Sequence, residues 1–238
     1  MGSNLPKVLH AAAGKPLVGW VLDALDTAGC TDQIVVIGHG AELVRDAVGW
    51  RPGVQFAVQH EQRGTGDAVA AAAGLIRAAC PDEAAAHRPV VIVCGDSPLL
   101  RPASVTGLLD AFAQTNAACL LGTAVTDDPT GLGRIVRDEN GRFRQITEEK
   151  DATETERAIR EVNMSTYVFA AKHLLTSLEQ LDTANAAGEY YLTDCPRLLL
   201  EAGEHVDAVA CLDPSETLSV NTPEQLANVA AVLAGWPA

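Results

Sequence analysis

An acidic residue follows the most strongly β-like run of the chain. The run Val90-Val91-Ile92-Val93-Cys94 is apolar and rich in β-branched residues, and Gly95-Asp96 comes directly after it. In open α/β sheets, ligands bind outside the carboxyl ends of the strands, where a carboxylate is suited to hold a hard cation such as Mg²⁺. Asp96 could equally cap the following segment through Ser97 and Pro98, because Asp favours such local turns.

A glycine-rich turn follows a second predicted strand and opens a predicted helix, with the sequence Gln59-His60-Glu61-Gln62-Arg63-Gly64-Thr65-Gly66-Asp67. Its glycines permit close approach of a ligand to the backbone, and free N–H groups at a helix start favour an anionic or acceptor-rich ligand. Gln59 and Thr65 offer the side-chain hydrogen bonds that a flat base edge needs. The motif alone is weak, since tight strand–helix turns also use glycine without any ligand.

Three further polar residues are candidate ligand contacts. Lys7 lies in a loop-like segment, and the alternative is a solvated surface lysine. Asn163 lies inside an apolar strand beside Glu161. Asn221 precedes Thr222-Pro223 and could instead belong to the N-terminal cap region of the last helix, where Asn and Thr are favoured.

The elements that must position these residues alternate between strands and helices. Apolar runs predict strands at 33–37, 54–59, 90–94, 162–170 and 206–212, and helical periodicity predicts helices from Pro16 to Gly29 and at 41–48, 67–80, 103–114, 152–160, 171–181, 192–202 and 223–233. The alternation favours an α/β fold with a doubly wound, mostly parallel sheet. Two short β-like runs, 134–137 and 143–146, flank Asn140-Gly141 and indicate an antiparallel hairpin insertion.

The charge of the chain limits its partners. Seventeen Lys and Arg stand against 31 Asp and Glu, a formal net charge of −14. Such a surface repels phosphate backbones, which argues against nucleic acid and against an anionic membrane as partners. A site for an anionic substrate must therefore gather its few cations locally or recruit a metal ion.

The six cysteines form no C-x-x-C pair and have no histidine at zinc spacing, so we expect free, buried thiols. No apolar run approaches the roughly 20 residues that a bilayer requires. The first residues show no apolar stretch of a secretory signal, and the expected location is the cytoplasm.

Several motifs occur together in one order along the chain. They are Leu5-Pro6-Lys7-Val8-Leu9-His10, Gln59 to Gly66, Gly95-Asp96-x-Pro98-Leu99, Gly131-x-Gly133-Arg134-Ile135, Glu148-x-Lys150-Asp151-Ala152, Glu161-Val162-Asn163, Gly188-Glu189-Tyr190-Tyr191-Leu192-Thr193-Asp194 and Val220-Asn221. This series closely resembles the uridylyltransferase domain of the bacterial N-acetylglucosamine-1-phosphate uridylyltransferases, members of the sugar-nucleotide pyrophosphorylases. The resemblance extends from residue 4 to about residue 230.

The resemblance implies a nucleotide site. Gln59, Gly64 and Thr65 match uridine-binding positions of the family. Cys94 and Gly95 match positions against the nucleotide.

The resemblance also implies a phosphate and metal site. Lys7 matches a lysine near the nucleotide phosphates, and Asp96 and Asn221 match the pair that holds the catalytic Mg²⁺. Lys7 and Asp96 are therefore the expected catalytic residues.

A sugar site is implied in the same way, because Gly133, Glu148 and Asn163 match positions that contact N-acetylglucosamine. The implied reaction joins UTP and N-acetylglucosamine 1-phosphate to UDP-N-acetylglucosamine and pyrophosphate. The alternatives are a non-catalytic relative that binds nucleotide sugars, and a pyrophosphorylase for another sugar 1-phosphate. A homo-oligomer is possible, although the family's trimer is built largely by a separate domain.

The chain departs from the family in several places. The family opens with a strand and a Leu-Ala-Ala-Gly-x-Gly-Thr-Arg-Met-type loop, where this chain has Met-Gly-Ser, and the family's C-terminal β-helix acetyltransferase domain has no counterpart. Met164-Ser165 stands where Thr-Gly is usual, and Cys94 where an aromatic residue is common. We therefore expect residues 1–238 to form a single, N-terminally truncated nucleotidyltransferase domain with weak activity or none.

Overall fold

The computed structural model describes residues 5–82, 85–218 and 220–236. Residues 1–4, where the sequence predicts the loss of a strand and a glycine-rich loop, lie outside the described residues. Within the described ranges, no helix is both long and apolar enough to cross a lipid bilayer.

The amino-terminal part begins with a 3-10 turn, Lys7–Leu9, and a short hairpin of β1 (Ala11–Ala12) and β2 (Lys15–Pro16). Helix α1 (Leu17–Thr27) follows, as predicted. The sequence did not reveal the hairpin, because strands of two residues leave no alternating pattern.

Two parallel strands form a small sheet of their own. Strands β3 (Gln33–Ile37) and β4 (Val54–Val58) pair over five residues each, and helix α2 (Ala41–Val48) connects them. Among the described residues, this sheet shares no strand pairing with the larger sheet. Side chains of β3 nevertheless join the main core, where Ile34 and Val36 pack against it.

The next segment corrects one prediction and reveals one missed strand. The helix predicted over 67–80 is two helices, α3 (Thr65–Ala71) and α4 (Ala73–Ala79), which meet at Ala72. Strand β5 (Pro89–Ile92) and helix α5 (Pro102–Ala113) lie where they were predicted. The missed strand is β6 (Cys119–Val125), which is buried over its first six residues.

The predicted hairpin is β7 (Arg134–Arg137) and β8 (Phe143–Thr147). The helix predicted over 152–160 is only one turn, α6 (Glu154–Arg157), which Thr153 and Glu156 close with a capping box. The remaining elements are β9 (Glu161–Ala170), α7 (Ala171–Leu178), a 3-10 turn at Leu192–Asp194, α8 (Cys195–Glu201), β10 (Val206–Val209), a 3-10 turn at Pro214–Thr217 and α9 (Pro223–Ala234).

Strand β9 organises the six-stranded sheet. Its neighbours follow the order β10-β6-β9-β7-β8, and β5 pairs with the end of β9 that β7 leaves open. Strands β5, β6 and β7 are each antiparallel to β9, and β10 is parallel to β6. Strands β5, β6, β7 and β10 therefore run in one direction, and strands β8 and β9 run in the opposite direction. The α/β fold with an antiparallel hairpin insertion is confirmed, and its six-stranded sheet is mixed: among the described strands of this sheet, β10 and β6 are the only parallel neighbours.

The main core lies between this sheet and the helices on one face of it. Strand β9 contributes Tyr167 and Phe169, α7 contributes Leu174, and α8 contributes Cys195, each at most 1 % exposed. Burial raises the pKa of the Cys195 thiol to about 12, so the thiol is neutral. All six cysteines are free, as predicted, but only Cys119 and Cys195 are buried, and the other four are partly exposed. The well-packed sheet gives a rigid base to the residues that follow β5 and line β9.

Candidate active site

Three predicted residues meet at one point. Lys7 Nζ donates to Asn221 Oδ1 over 2.7 Å and forms a salt bridge with Asp96 Oδ2. Lys7 opens the first 3-10 turn, Asp96 follows β5, and Asn221 precedes α9. Three segments far apart in the sequence thus converge on one ammonium group, and we call Lys7, Asp96 and Asn221 the cation cluster.

Asn221 lies beside the N-terminal cap of α9, where its backbone N–H donates to Gln225 Oε1 over 2.7 Å, and its side chain also contacts Lys7. Thr222 is the N-cap of α9, because its hydroxyl accepts from the Gln225 backbone N–H, and the Gln225 side chain completes the capping box. Asn221 lies one residue outside the helix, and its side-chain oxygen accepts from Lys7. Its carboxamide therefore belongs to the cation cluster.

The two oxygen atoms that face Lys7 also bear on metal binding. A carboxylate and a carboxamide oxygen are ligands that hard divalent cations prefer, and both already coordinate a cationic group. The Lys7 and Asp96 side chains are 39 % and 23 % exposed, so their ion pair is weak and open to exchange. Among the described residues, no group of three or more His, Cys, Asp or Glu could hold a metal ion. The cation cluster fits Mg²⁺ only with further oxygen ligands from substrate or water.

The glycine-rich turn is fastened to the segment that precedes α8. The Gly66 N–H donates to Tyr190 O over 2.8 Å, and the Tyr190 N–H donates to Arg63 O over 2.8 Å. Gly64 has φ of +113°, and a Cβ there would lie 2.5 Å from Tyr190 O. Both its backbone conformation and the available space therefore require glycine. The close approach of the Gly64 backbone to the Tyr190 backbone thus explains why glycine occupies this position.

Gln59 and Thr65, the predicted base contacts, already have partners in the protein. Gln59 Nε2 donates to Asp67 Oδ2 over 2.7 Å and to Gly64 O over 3.2 Å. Thr65 Oγ1 accepts from the Leu192 N–H over 3.1 Å. These bonds order the turn at the entrance of α3. A cavity beside the turn is lined in part by Gln59 and Asp67.

The three residues predicted to contact a sugar lie together on the sheet. The Asn163 N–H donates to Gly133 O over 2.8 Å, and a Cβ placed on Gly133 would lie 3.4 Å from Glu148 Oε2. We call Gly133, Glu148 and Asn163 the sugar cluster. Thr193 Oγ1 donates to Glu148 Oε1 over 3.1 Å.

The carboxylate of Glu148 is held in an unfavourable environment. Burial raises its pKa, the nearby charges of Asp151 and Asp194 raise it further, and the hydrogen bond from Thr193 opposes these effects. Such a carboxylate gains when a ligand hydroxyl donates to it, because the new hydrogen bond replaces lost hydration.

Cys94 lies close to Asp96 of the cation cluster and to Ser165 of strand β9. Burial raises the pKa of its thiol to about 11, the charge of Asp96 adds to this, and a hydrogen bond to Ser165 and the charge of Lys7 oppose it. The thiol is therefore neutral at ordinary pH and acts as a wall of the site. Gly95, which follows it, packs near Val8, with 3.5 Å between an added Cβ and Val8 Cγ1.

The sequence missed the residues that hold these clusters in place. Tyr167 accepts a hydrogen bond from Asn163, Thr193 holds Glu148, and Glu216 holds the loops before α5 and α9. Thr193 stands in a recognised motif, which was a usable signal. Tyr167 and Glu216 gave no such signal, because Tyr167 lies within an apolar strand and Glu216 within a 3-10 turn, and neither belongs to a motif.

Comparisons with known proteins agree with this arrangement. Residues 1–194 match the model of the MobA-like NTP transferase domain. The bifunctional protein GlmU of Heliobacterium modesticaldum is 45 % identical over 98 % of this chain and 49 % of its own length. That of an Exiguobacterium species is 43 % identical over 98 % of this chain and 50 % of its own length. The chain spans about half the length of the curated relatives it matches.

Solved structures support the fold. A crystal structure of apo-UDP-glucose pyrophosphorylase has a TM-score of 0.75 and 12 % identity, and covers 97 % of this chain and 90 % of its own. A UDP-glucose pyrophosphorylase complexed with UDP-glucose has a TM-score of 0.71 at the same identity and coverage. The resemblance drawn from the motifs is confirmed by the matches, and the chain belongs to the family of MobA-like NTP transferase domains.

Proposed function

We propose that this domain is a uridylyltransferase, which joins UTP and N-acetylglucosamine 1-phosphate to UDP-N-acetylglucosamine and releases pyrophosphate. The observation that carries the proposal is the convergence of Asp96 and Asn221 on one cationic group. A pair of oxygen ligands for a divalent cation suits a reaction between two anions, because the ion can offset their negative charge. The 40–45 % identity to GlmU proteins supports the same reaction.

The reaction needs no protein nucleophile. An oxygen of the sugar phosphate attacks the α-phosphorus of UTP in line, and pyrophosphate leaves. Catalysis then consists of positioning and charge neutralisation, as in other phosphoryl transfers. Among the residues present, the neutral Cys94 thiol is unsuited to attack.

Asp96 and Asn221 are the residues that would hold Mg²⁺. When bound, the ion neutralises phosphate charge and orients the reacting oxygens. With Asp96 on the ion, the Lys7 ammonium group would be available to offset charge on the nucleotide phosphates. A protein with a net charge of −14 needs such local cations to bind two anions.

The sugar and the base occupy the other two parts of the site. Glu148 accepts hydrogen bonds from sugar hydroxyls, Asn163 contacts the N-acetyl side, and Gly133 leaves room for the ring. Gln59, Gly64 and Thr65 form the wall for uracil. These roles are proposals that rest on the position of each residue in the fold.

The test measures binding and product separately. Calorimetry with UDP-N-acetylglucosamine and Mg²⁺ reports affinity, and pyrophosphate release from UTP and N-acetylglucosamine 1-phosphate reports chemistry. Asp96→Asn is the matched variant, because it keeps the shape and removes the charge. We expect binding and slow product formation, both reduced in the variant.

Other results would favour the alternatives. Affinity without product would identify a non-catalytic binding domain. Faster reaction with glucose 1-phosphate or galactose 1-phosphate than with N-acetylglucosamine 1-phosphate would identify a different pyrophosphorylase. No affinity for any uridine nucleotide would contradict the proposal.

A further inference from the structure

Strand β9 is interrupted where it passes the sugar cluster. Its pairing with β6 joins Thr166 to Gly122 and Asn163 to Thr123, so the two residues between them, Met164 and Ser165, have no partner on β6. Ser165 has φ of +50°, in the left-handed region that non-glycine residues rarely adopt. Bulges of this kind bend a strand and redirect its side chains, and they occur next to functional sites.

The bulge brings together two side chains that a regular strand would separate. Residues four apart in a strand have Cα atoms about 13 Å apart, at about 3.3 Å per residue. Here Asn163 Nδ2 lies 2.8 Å from the Tyr167 hydroxyl oxygen, four residues further on. Tyr167 is 1 % exposed and Asn163 is 6 % exposed, so this hydrogen bond is shielded from water.

The contacts of Asn163 fix which way its carboxamide points. A carboxamide has nearly the same shape when its oxygen and nitrogen are exchanged, so its partners decide the orientation. The Ser165 backbone N–H can only donate, and it donates to Asn163 Oδ1 over 3.2 Å. The nitrogen must then face Tyr167, whose hydroxyl oxygen accepts. Burial raises the pKa of Tyr167 well above its ordinary value, so the phenol is neutral.

We propose that Tyr167 is a positioning residue: together with the Ser165 N–H, which sets the orientation, it holds the Asn163 carboxamide in place to recognise the amide substituent of an acylated amino-sugar phosphate. An acetamido group presents its carbonyl and its N–H at different places, so it pairs with only one orientation of a facing carboxamide. A hydroxyl group at the same place both donates and accepts from one rotatable oxygen, so it pairs with either orientation. Tyr167 thereby contributes to selectivity between the two kinds of sugar. This inference rests on the proposed function.

The experiment compares two ligands that differ at this substituent. Calorimetry measures the affinities for UDP-N-acetylglucosamine and UDP-glucose, with Mg²⁺ present, in the unmodified chain and in Tyr167→Phe. We expect Tyr167→Phe to weaken binding of UDP-N-acetylglucosamine about tenfold, because the Asn163 carboxamide is then held only through its oxygen and must be ordered when the ligand binds. Binding of UDP-glucose and UTP should change less than about twofold. An unchanged ratio between the two sugars would overturn the inference.

A matched control separates positioning from packing. Thr166→Val removes another buried hydroxyl from the same bulge, one that bonds to Met164 O and does not touch Asn163. We expect this variant to leave the ratio between the two sugars unchanged. An equal shift of that ratio in both variants would mean that the bulge acts through packing alone, which overturns the role of Tyr167.

Asn163→Ala distinguishes the inference from the proposed function. If this variant keeps the full affinity for UDP-N-acetylglucosamine, the proposed sugar site itself is wrong. If it loses affinity while Tyr167→Phe keeps the ratio, the sugar site stands and only the role of Tyr167 fails. We expect both variants to lower the ratio.

A second measurement needs no variant. In the unmodified chain, NMR hydrogen exchange of the Asn163 side-chain amide should show one N–H strongly protected, the one donated to Tyr167. Fast exchange of both protons would show that the carboxamide is not held and would overturn the inference, even if Tyr167→Phe fails to fold.

Discussion

The cation cluster and the sugar cluster are built in opposite ways. The cation cluster takes Lys7, Asp96 and Asn221 from three separate loops, and it is joined by partly exposed polar contacts. The sugar cluster lies on and beside strands of one sheet, where Asn163 is 6 % exposed and its partner Tyr167 only 1 %. The first arrangement can exchange one cation for another at little cost, whereas the second has its geometry fixed by packing.

A buried carboxylate compensates for the loose construction of the cation cluster. Glu216 is 6 % exposed and accepts from the Arg101 N–H over 2.8 Å, from Ser104 Oγ over 2.6 Å and from the Asp213 N–H over 2.8 Å. Arg101 lies shortly after Asp96, and Glu216 lies shortly before Asn221. Glu216 therefore ties together the two loops that carry Asp96 and Asn221.

The largest predicted effect concerns the cation cluster. Asp96→Asn removes its only carboxylate, so we expect the affinity for Mn²⁺, used as a paramagnetic substitute for Mg²⁺, to fall about hundredfold in the presence of UTP, or about 2.7 kcal/mol. Electron paramagnetic resonance measures the bound Mn²⁺. Asp127→Asn is the control, because the Asp127 side chain is 97 % exposed and pairs only with Arg160. Equal affinity in the two variants would refute Asp96 as a ligand.

The second prediction tests whether the loops depend on Glu216. Glu216→Ala leaves two partly buried backbone N–H groups and the buried Ser104 hydroxyl without their acceptor, and we expect the free energy of unfolding to fall by about 2 kcal/mol. Mn²⁺ affinity should fall as well, because Asn221 is no longer held opposite Asp96. Chemical denaturation measures the first effect, and Glu139→Ala, in the exposed turn of the hairpin, is the control. A loss of stability with unchanged Mn²⁺ affinity would limit Glu216 to the fold.

The third prediction concerns the strain within the rigid half of the site. Ser165 adopts φ of +50°, which costs a non-glycine residue about 1–2 kcal/mol. Ser165→Gly removes this strain and loses only a weak bond to the Cys94 thiol, so we expect the free energy of unfolding to rise by about 1 kcal/mol. Thermal denaturation measures the change. Ser165→Val should lower the stability, because valine is β-branched and adopts a positive φ even less readily than serine. A valine variant more stable than the glycine variant would contradict the conclusion that Ser165 is strained.

The smallest prediction compares two carboxylates of the sheet by pH. The pKa of Glu148 is raised in the folded protein, chiefly by burial, so folding favours the protonated carboxyl group. The contribution of Glu148 to stability is therefore fully present below the pKa it has in the unfolded chain, and it is lost as the pH rises through the pKa it has in the folded protein. Glu148→Gln should therefore be the more stable protein near neutral pH, by less than about 1 kcal/mol, with the gap closing as the pH falls below the pKa of glutamate.

Glu161 provides the opposite case. Arg137 and Thr123 lower its pKa against the effect of burial, so its stabilising effect is present above the unfolded pKa and is lost as the pH falls. Glu161→Gln should destabilise the protein near neutral pH and become neutral in acid. The same sign for both variants in urea denaturation at several pH values would contradict these assignments.

The sequence predicted the elements that have a regular apolar pattern and the positions at their ends. Strand β5, helix α5 and the hairpin around Asn140-Gly141 were found in this way, and Asp96 was placed correctly after β5. Strand β6 was missed, because Cys119–Val125 contains a glycine and only one valine, and its burial comes from neighbours distant in sequence. The resemblance alone supplied Cys94, Gly95, Gly133 and Glu148, whereas the other site residues were already candidates from their types and positions.

The contacts that hold the site together could not be predicted. The bond between Asn163 and Tyr167 depends on a bulge that is defined only by pairing with β6. The bonds of Glu216 join segments more than a hundred residues apart. Local pattern carries no information on either, since both arise from tertiary packing. The predicted roles of the site residues, the truncated single domain and the cytoplasmic location stay predictions.

Two neighbouring residues, Leu192 and Thr193, join the glycine-rich turn to the sugar cluster. The Leu192 N–H donates to Thr65, and the Thr193 hydroxyl donates to Glu148. A single peptide unit thus connects the wall proposed for uracil with the carboxylate proposed for the sugar. A displacement of the turn would therefore reach Glu148 through one residue, so the regions proposed for the base and for the sugar are mechanically coupled.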